Sequence, residues 1–132
     1  HCTDIVRTTD GNFLLACDGG IFRLDENRQQ LSVAYPDASQ RLAGFTLSTT
    51  PNNGVILGGR EVIYRFTAAQ NGALQLVDSL DLAPGEAADR SLCRDIVSLG
   101  TNQFYVATYR GLYHLYWQLW SFRDLYRTRY SR

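Results

Sequence analysis

The chain writes nearly the same five residues twice, CTDIV from residue 2 and CRDIV from residue 93. The likeness runs well past those words. At an ungapped shift of 91, Cys2, Asp4, Ile5, Val6, Phe13, Ala16, Gly20 and Leu24 fall on Cys93, Asp95, Ile96, Val97, Phe104, Ala107, Gly111 and Leu115. A third copy lies between them at a shift of 42, where Ile5 falls on Leu47, Phe13 on Val55, Leu14 on Ile56, Ala16 on Gly58, Ile21 on Ile63, Phe22 on Tyr64 and Arg23 on Arg65. Self-similarity at such periods means stacked supersecondary units, each of which buries its apolar face only against a neighbour.

Each unit reads as β-structure, because apolar positions alternate or run in short β-branched and aromatic stretches with no helical period. In the first unit DIVRT is a strand and Asp10-Gly11-Asn12 is a tight-turn signal, since Gly and Asn accept positive φ. NFLLAC is apolar enough to predict a strand buried on both faces. Asp18-Gly19-Gly20 then turns into IFRLD, and LSVAY is a more polar fourth strand. Four antiparallel strands recurring every 42 to 49 residues predict an all-β chain, a β-propeller fragment of about three four-stranded antiparallel blades. The expected boundaries are about 2–36, 42–82 and 92–122, with a tail over 123–132, all within one partial domain. A β-sandwich with accidental internal similarity is the competing architecture.

At 132 residues the chain is one domain's worth, and no apolar run approaches the roughly 18–20 residues of a membrane span, so no membrane contact is expected in this segment. Net charge is zero, with 13 basic residues, all Arg, against 13 acids. That balance gives no basic excess for nucleic acid and no acidic tail. The chain opens at His1 without a signal peptide, which suggests an internal piece of a longer protein. Three blades would leave two apolar faces open, so the expected partners are missing blades of the same propeller or a second copy of the chain.

The search for chemistry returns little. Without Lys, no usual phosphate-binding loop is possible, and no Cys-x-x-Cys, His-Glu-x-x-His or calcium loop occurs; no cofactor and no enzymatic activity are expected. Cys2 and Cys93 hold equivalent places in non-adjacent units and Cys17 ends the second strand, so all three are read as small buried side chains. His114 replaces Arg23 and Arg65 of the sister units and is placed on a strand surface. Asp4 and Asp95 are read as structural carboxylates. In the tail, Trp117, Trp120, Phe122, Tyr126 and Tyr130 interleave with Arg123, Arg127, Arg129 and Arg132. Such a mixture can stack bases, but the third unit lacks its fourth strand, and WQLWSF is expected to supply it, with a terminal helix packed on an open blade face as the alternative.

Three segments, LACDGGIFRLD, ILGGREVIYRF and VATYRGLYHLY, resemble the two-component regulator propeller repeat, a strand ending in Gly-Thr, two variable residues, then Gly-Leu and an aromatic. The first pair stands here as Ala16-Cys17, Gly58-Gly59 and Ala107-Thr108, and the second as Gly20-Ile21, Val62-Ile63 and Gly111-Leu112. The family's second-strand Trp is replaced by Phe13, Val55 and Phe104. The resemblance implies the extracytoplasmic sensor region of a hybrid regulator, periplasmic and responsive to carbohydrate fragments. A cytoplasmic protein–protein scaffold is the alternative class, and a propeller lyase or hydrolase a third.

In a propeller the loops from strand two to strand three, and from strand four to the next blade, share the face around the central channel. Those loops carry Asp18 and Gly19, Arg60 and Glu61, Tyr109 and Arg110, with Arg41 and the longer 82–92 connection beside them. These positions differ between units whose flanking strands agree, which a binding surface permits and a structural requirement does not; solvated turns without a binding role are the competing reading. Arg offers a planar fork of donors and Tyr a stacking face with a hydroxyl, both suited to a small carbohydrate or a peptide ligand.

Overall fold

The computed structural model describes residues 1–69, 71–85, 90–100 and 102–116, together with the backbone of 121–124. It contains three antiparallel four-stranded sheets in which every strand pairs with its sequence neighbour. The first holds β1 (Cys2–Arg7), β2 (Phe13–Cys17), β3 (Gly19–Asp25) and β4 (Gln30–Asp37). The second holds β5 (Thr46–Thr49), β6 (Val55–Gly58), β7 (Val62–Ala68) and β8 (Leu74–Asp81). The third holds β9 (Cys93–Ser98), β10 (Gln103–Thr108), β11 (Gly111–Tyr116) and β12 (Ser121–Asp124). These meanders are the blades of a β-propeller. Among the described residues no helix is long and apolar enough to cross a membrane.

Alternation along each strand sends side chains to opposite faces, and the two internal contacts between blades use it. Leu14, Ala16 and Ile21 of blade one meet Leu47, Val55, Leu57 and Phe66 of blade two in one core. Ile56 and Ile63, from the other face of blade two, meet Ile96, Phe104, Val106, Tyr113 and Leu115 of blade three in a second. β6 is therefore buried at all four positions. The same was expected of NFLLAC, but in β2 only Leu14 and Ala16 are fully buried, while Phe13, Leu15 and Cys17 are half-exposed. Their side of blade one has no neighbouring blade among the described residues.

Asp4 ties the first blade to the second. Its Oδ2 accepts from the Leu47 backbone N–H at 2.7 Å and from the Thr46 hydroxyl at 3.1 Å, and Thr3 donates to the Phe45 carbonyl at 2.7 Å. Asp95, at the equivalent position of the last blade, accepts only a local bond from Ile96 N–H at 2.9 Å among the described contacts.

Three expectations are corrected. Cys2 and Cys17 form a disulfide across β1 and β2, because the hairpin register sets them opposite each other. Cys93 faces Thr108 at the same register position of blade three and remains a buried free thiol. His114 is buried rather than on a strand surface, its ring between Tyr105 and Tyr116 at centroid distances of 5.0 and 4.3 Å, with Nε2 3.1 Å from Gln103 Oε1. The fourth strand of blade three is Ser121–Asp124, pairing Leu115 with Phe122 and His114 with Arg123. It lies further along than WQLWSF suggested. Trp117, Trp120, Tyr126, Arg127, Arg129, Tyr130 and Arg132 lie outside the described residues.

Candidate functional site

The three β2–β3-type turns and the connections between blades gather at one end of the sheets. At that end Asp18 N–H donates to the His1 carbonyl, Phe45 N–H to that of Gly58, and Cys93 N–H to that of Gly59, each at 2.8 Å. Each bond ties the end of a second strand to the start of a first strand.

Glu61 is the centre of the site between blades two and three. It has no exposed surface, and its backbone is left-handed at φ 54° where blade one has Gly19 at φ 90°. A non-glycine residue in that region costs on the order of 1 kcal/mol or more and persists only where its surroundings hold it. Here they do. Glu61 Oε1 accepts from Ser91 N–H at 2.6 Å and from Arg110 Nη2 at 2.7 Å, while Oε2 accepts from the Tyr113 hydroxyl at 3.1 Å. The Arg110 side chain is only 14 % exposed. The pair spans the blade boundary, because Glu61 precedes β7 and Arg110 precedes β11.

Around this buried pair lies a more open set. Tyr109 is 63 % exposed, its N–H donates to Ser91 Oγ at 3.0 Å, and its ring faces the Arg94 guanidinium at 5.0 Å. Arg94 also lies 5.0 Å from the Phe45 ring, so the cation contacts aromatics from two blades. Arg60 is exposed, bridges Leu92 through its backbone, and offers its carbonyl to Arg90 Nη1 at 3.4 Å. Arg90 also clamps Asp81 with bonds of 2.8 and 2.6 Å, and that guanidinium holds the Asp81 carboxyl below the usual carboxylate range. Burial pushes the Cys93 thiol, next to this layer, up to about 12.

The candidate residues thus divide by position. Glu61, Tyr109 and Arg110 come together at the second blade boundary, with Arg60 on its rim. Asp18 and Arg41 stand at the first boundary. The Asp18 carboxylate is half-exposed and 3.9 Å from the N-terminal amine, and Arg41 is an exposed side chain whose backbone N–H donates to Asp37 at 3.0 Å. Sequence reasoning missed Arg94, Phe45 and Tyr113, and placed Ser91 on this face only as part of the 82–92 connection. Arg94 was legible in principle, as the one residue that differs between CTDIV and CRDIV. Tyr113 was hidden by its equivalence to Phe22 and Tyr64, which made it look purely structural. Among the described residues no group of three or more His, Cys, Asp or Glu side chains is placed to hold a metal ion.

No family model matches the chain, and no curated protein matches it. Solved structures do. The extracellular domain of a hybrid two-component system, BT4673 of B. thetaiotaomicron, superposes with a TM-score of 0.71 at 14 % identity, over 96 % of this chain and 16 % of that one. A second structure of that extracellular domain, described as a one-component system, gives 0.68 at 13 % identity over 94 % and 16 %. Virginiamycin B lyase from Staphylococcus aureus gives 0.66 at 12 % identity, over 92 % of this chain and 40 % of the enzyme. At such identities the likeness concerns the fold, which is that of propeller blades. The chain spans about a sixth of the first of these neighbours.

Proposed function

We propose that this chain belongs to a ligand-sensing β-propeller in the extracytoplasmic part of a two-component regulator, and that its channel-face residues bind a small carbohydrate or peptide. The observation that carries the reading is the polar, aromatic layer at the second blade boundary, set on blades whose fold neighbours include a two-component extracellular domain. The roles divide by burial. Glu61 and Arg110 satisfy each other and fix the blade boundary, whereas Tyr109, Arg60 and Arg94 present exposed donors and ring faces above it. Such a rigid base under a few exposed polar groups is what oriented ligand recognition needs. The Cys2–Cys17 disulfide favours an oxidising compartment over the cytoplasmic scaffold reading, because cytosolic thiols are kept reduced.

The lyase neighbour raises a catalytic reading, but the buried carboxylate here is ill-suited to it. Glu61 already accepts three hydrogen bonds, including one from an arginine, and so is poorly placed to take a proton from a substrate. We favour binding without turnover. The test is a panel of oligosaccharides and short peptides measured by calorimetry against the intact protein and its Arg60→Ala/Tyr109→Ala variant. Arg110 is left in place because its loss would disturb the blade boundary itself. Binding that weakens about tenfold or more in the double variant supports the reading. Undiminished binding puts the ligand elsewhere, and substrate consumption would select the enzyme.

A further inference from the structure

The start of β9 contains one residue too many for its ladder. Thr108 pairs with Cys93 and Ala107 with Asp95, so Arg94 stands between them unpaired, in a β-bulge. Bulges re-aim a side chain out of the strand's alternation and recur beside functional sites. Blade one has the same irregularity, since Cys2 pairs with Cys17 and Asp4 with Ala16, and its extra residue is Thr3. There the side chain closes onto the protein, the Thr3 hydroxyl donating to the Phe45 carbonyl at 2.7 Å. In blade three the same place holds an exposed arginine, whose guanidinium carbon lies 5.0 Å from the centroids of both the Phe45 and the Tyr109 ring. Such ring contacts engage the π system of the cation and leave its in-plane N–H donors for an acceptor. Among the described residues no acceptor takes them. The acids of this layer are committed elsewhere. Glu61 accepts from Ser91, Arg110 and Tyr113, Asp81 is clamped by Arg90, and Asp95 Oδ1 accepts from Ile96 N–H.

We propose that Arg94 makes this site selective for a ligand that carries a carboxylate, which takes the forked edge of the guanidinium while the body of the ligand lies against the exposed Tyr109 ring. The planar fork matches a carboxylate bidentately, and charge-assisted bonds of that kind are roughly twice as strong as neutral ones. Arg60, exposed on the rim and likewise without an ion pair among the described residues, adds to the positive field that an acid meets. The inference rests on the channel face being the ligand site and narrows what that site takes, to a carbohydrate bearing an acid group or a peptide presenting one.

The test adds two matched pairs of probes to the calorimetric panel, each pair differing in a single carboxylate: methyl glucuronide against methyl glucoside, and N-acetyltyrosine against its amide, at neutral pH and constant ionic strength. In at least one pair the acid is expected to bind roughly tenfold or more tightly than its neutral analogue. The pair that shows the preference tells a sugar source from a peptide one. Arg94→Gln should bring the preference close to unity, and Arg94→Lys, which keeps the charge and loses the fork, should retain only part of it. The lysine variant serves if the glutamine variant does not fold. Arg28→Gln removes an equal charge from the β3–β4 connection, at the opposite end of the blades, and should leave the preference unchanged. Panel binding with no preference for the acid in either pair overturns this proposal and leaves the site reading in place, as does a preference that survives both Arg94 variants. Absence of all binding overturns the two together.

Discussion

Glu61 is a residue whose backbone and side chain pull in opposite directions, and its substitution separates the two. Removing the carboxylate breaks its bonds to the Arg110 guanidinium, 14 % exposed, and to the Tyr113 hydroxyl. Breaking one member of a buried pair costs about 3–5 kcal/mol, so Glu61→Ala should lower the urea midpoint by a corresponding margin. Glu61→Gly relieves the left-handed backbone and should recover about 0.5–1 kcal/mol of that loss. An alanine variant as stable as the parent would mean that the network contributes nothing. Asp81 gives a pH signature of a different kind. Two bonds from Arg90 hold its native carboxyl below the ordinary value. Its contribution is therefore complete above the ordinary carboxylate pKa and disappears as pH falls from there through the lower native one. With Asp81 43 % exposed, screening limits the effect to about half a kcal/mol. Asp81→Asn should accordingly narrow the gap between midpoints measured at neutral and strongly acidic pH, and an unchanged gap would show the pair to be silent.

At the scale of the strand and hairpin, the repeat made some features legible and concealed others. Positions that recur, such as Gly20 and Gly111, follow from geometry: a Cβ on Gly20, at φ 139°, would lie 2.1 Å from the Tyr35 carbonyl oxygen. The channel-face turns stood out because they fail to recur. The disulfide was missed because the cysteines were judged by blade position, when the relevant fact was hairpin register. Counting outward from the Asp10-Gly11 turn sets Thr3 opposite Cys17, and it is a register shift between Cys2 and Asp4 that brings Cys2 into that place. Gly58 shows how context overrides a repeat. Ala16 and Ala107 are its equivalents, yet a Cβ at Gly58 would stand 2.8 Å from Cys93 Cβ and 2.9 Å from Thr46 Cγ2. Gly58→Ala is expected to destabilise by about 1–3 kcal/mol through overpacking, read from the thermal midpoint. A neutral or stabilising result would mean that blades two and three separate at little cost.

For the whole molecule the two outermost sheet faces dominate. On blade one the ladder sets Ile5, Leu15, Phe22 and Val33 in one cross-strand row, with Phe13, Leu24 and Leu31 in the next. Ile5, Leu31 and Val33 are more than half exposed. The onward face of blade three carries Val97 and Tyr105 beside Ala107 and Leu112, with Val97 also more than half exposed. Each is the kind of face that elsewhere in the molecule is covered by the next blade, and covering it stabilises by about 25 cal/mol per Å² of apolar surface. The two faces differ, so association between copies pairs the onward face of one with the first face of another. Such a head-to-tail contact either closes into a ring or runs on. Two copies of three blades would close at six, within the ordinary range of propellers. The chain alone, at tens of micromolar, on the order of typical assay concentrations, is expected to sediment well above its 14.9 kDa monomer mass. A single dimeric species would indicate closure, and a concentration-dependent series an open stack. Because each contact uses both faces, Val33→Glu or Val97→Glu alone should return the chain towards monomer, by placing a charge in the contact without touching either internal core. A parent chain that is already monomeric would mean that these apolar rows are tolerated in water, and missing blades would then no longer be needed to account for them.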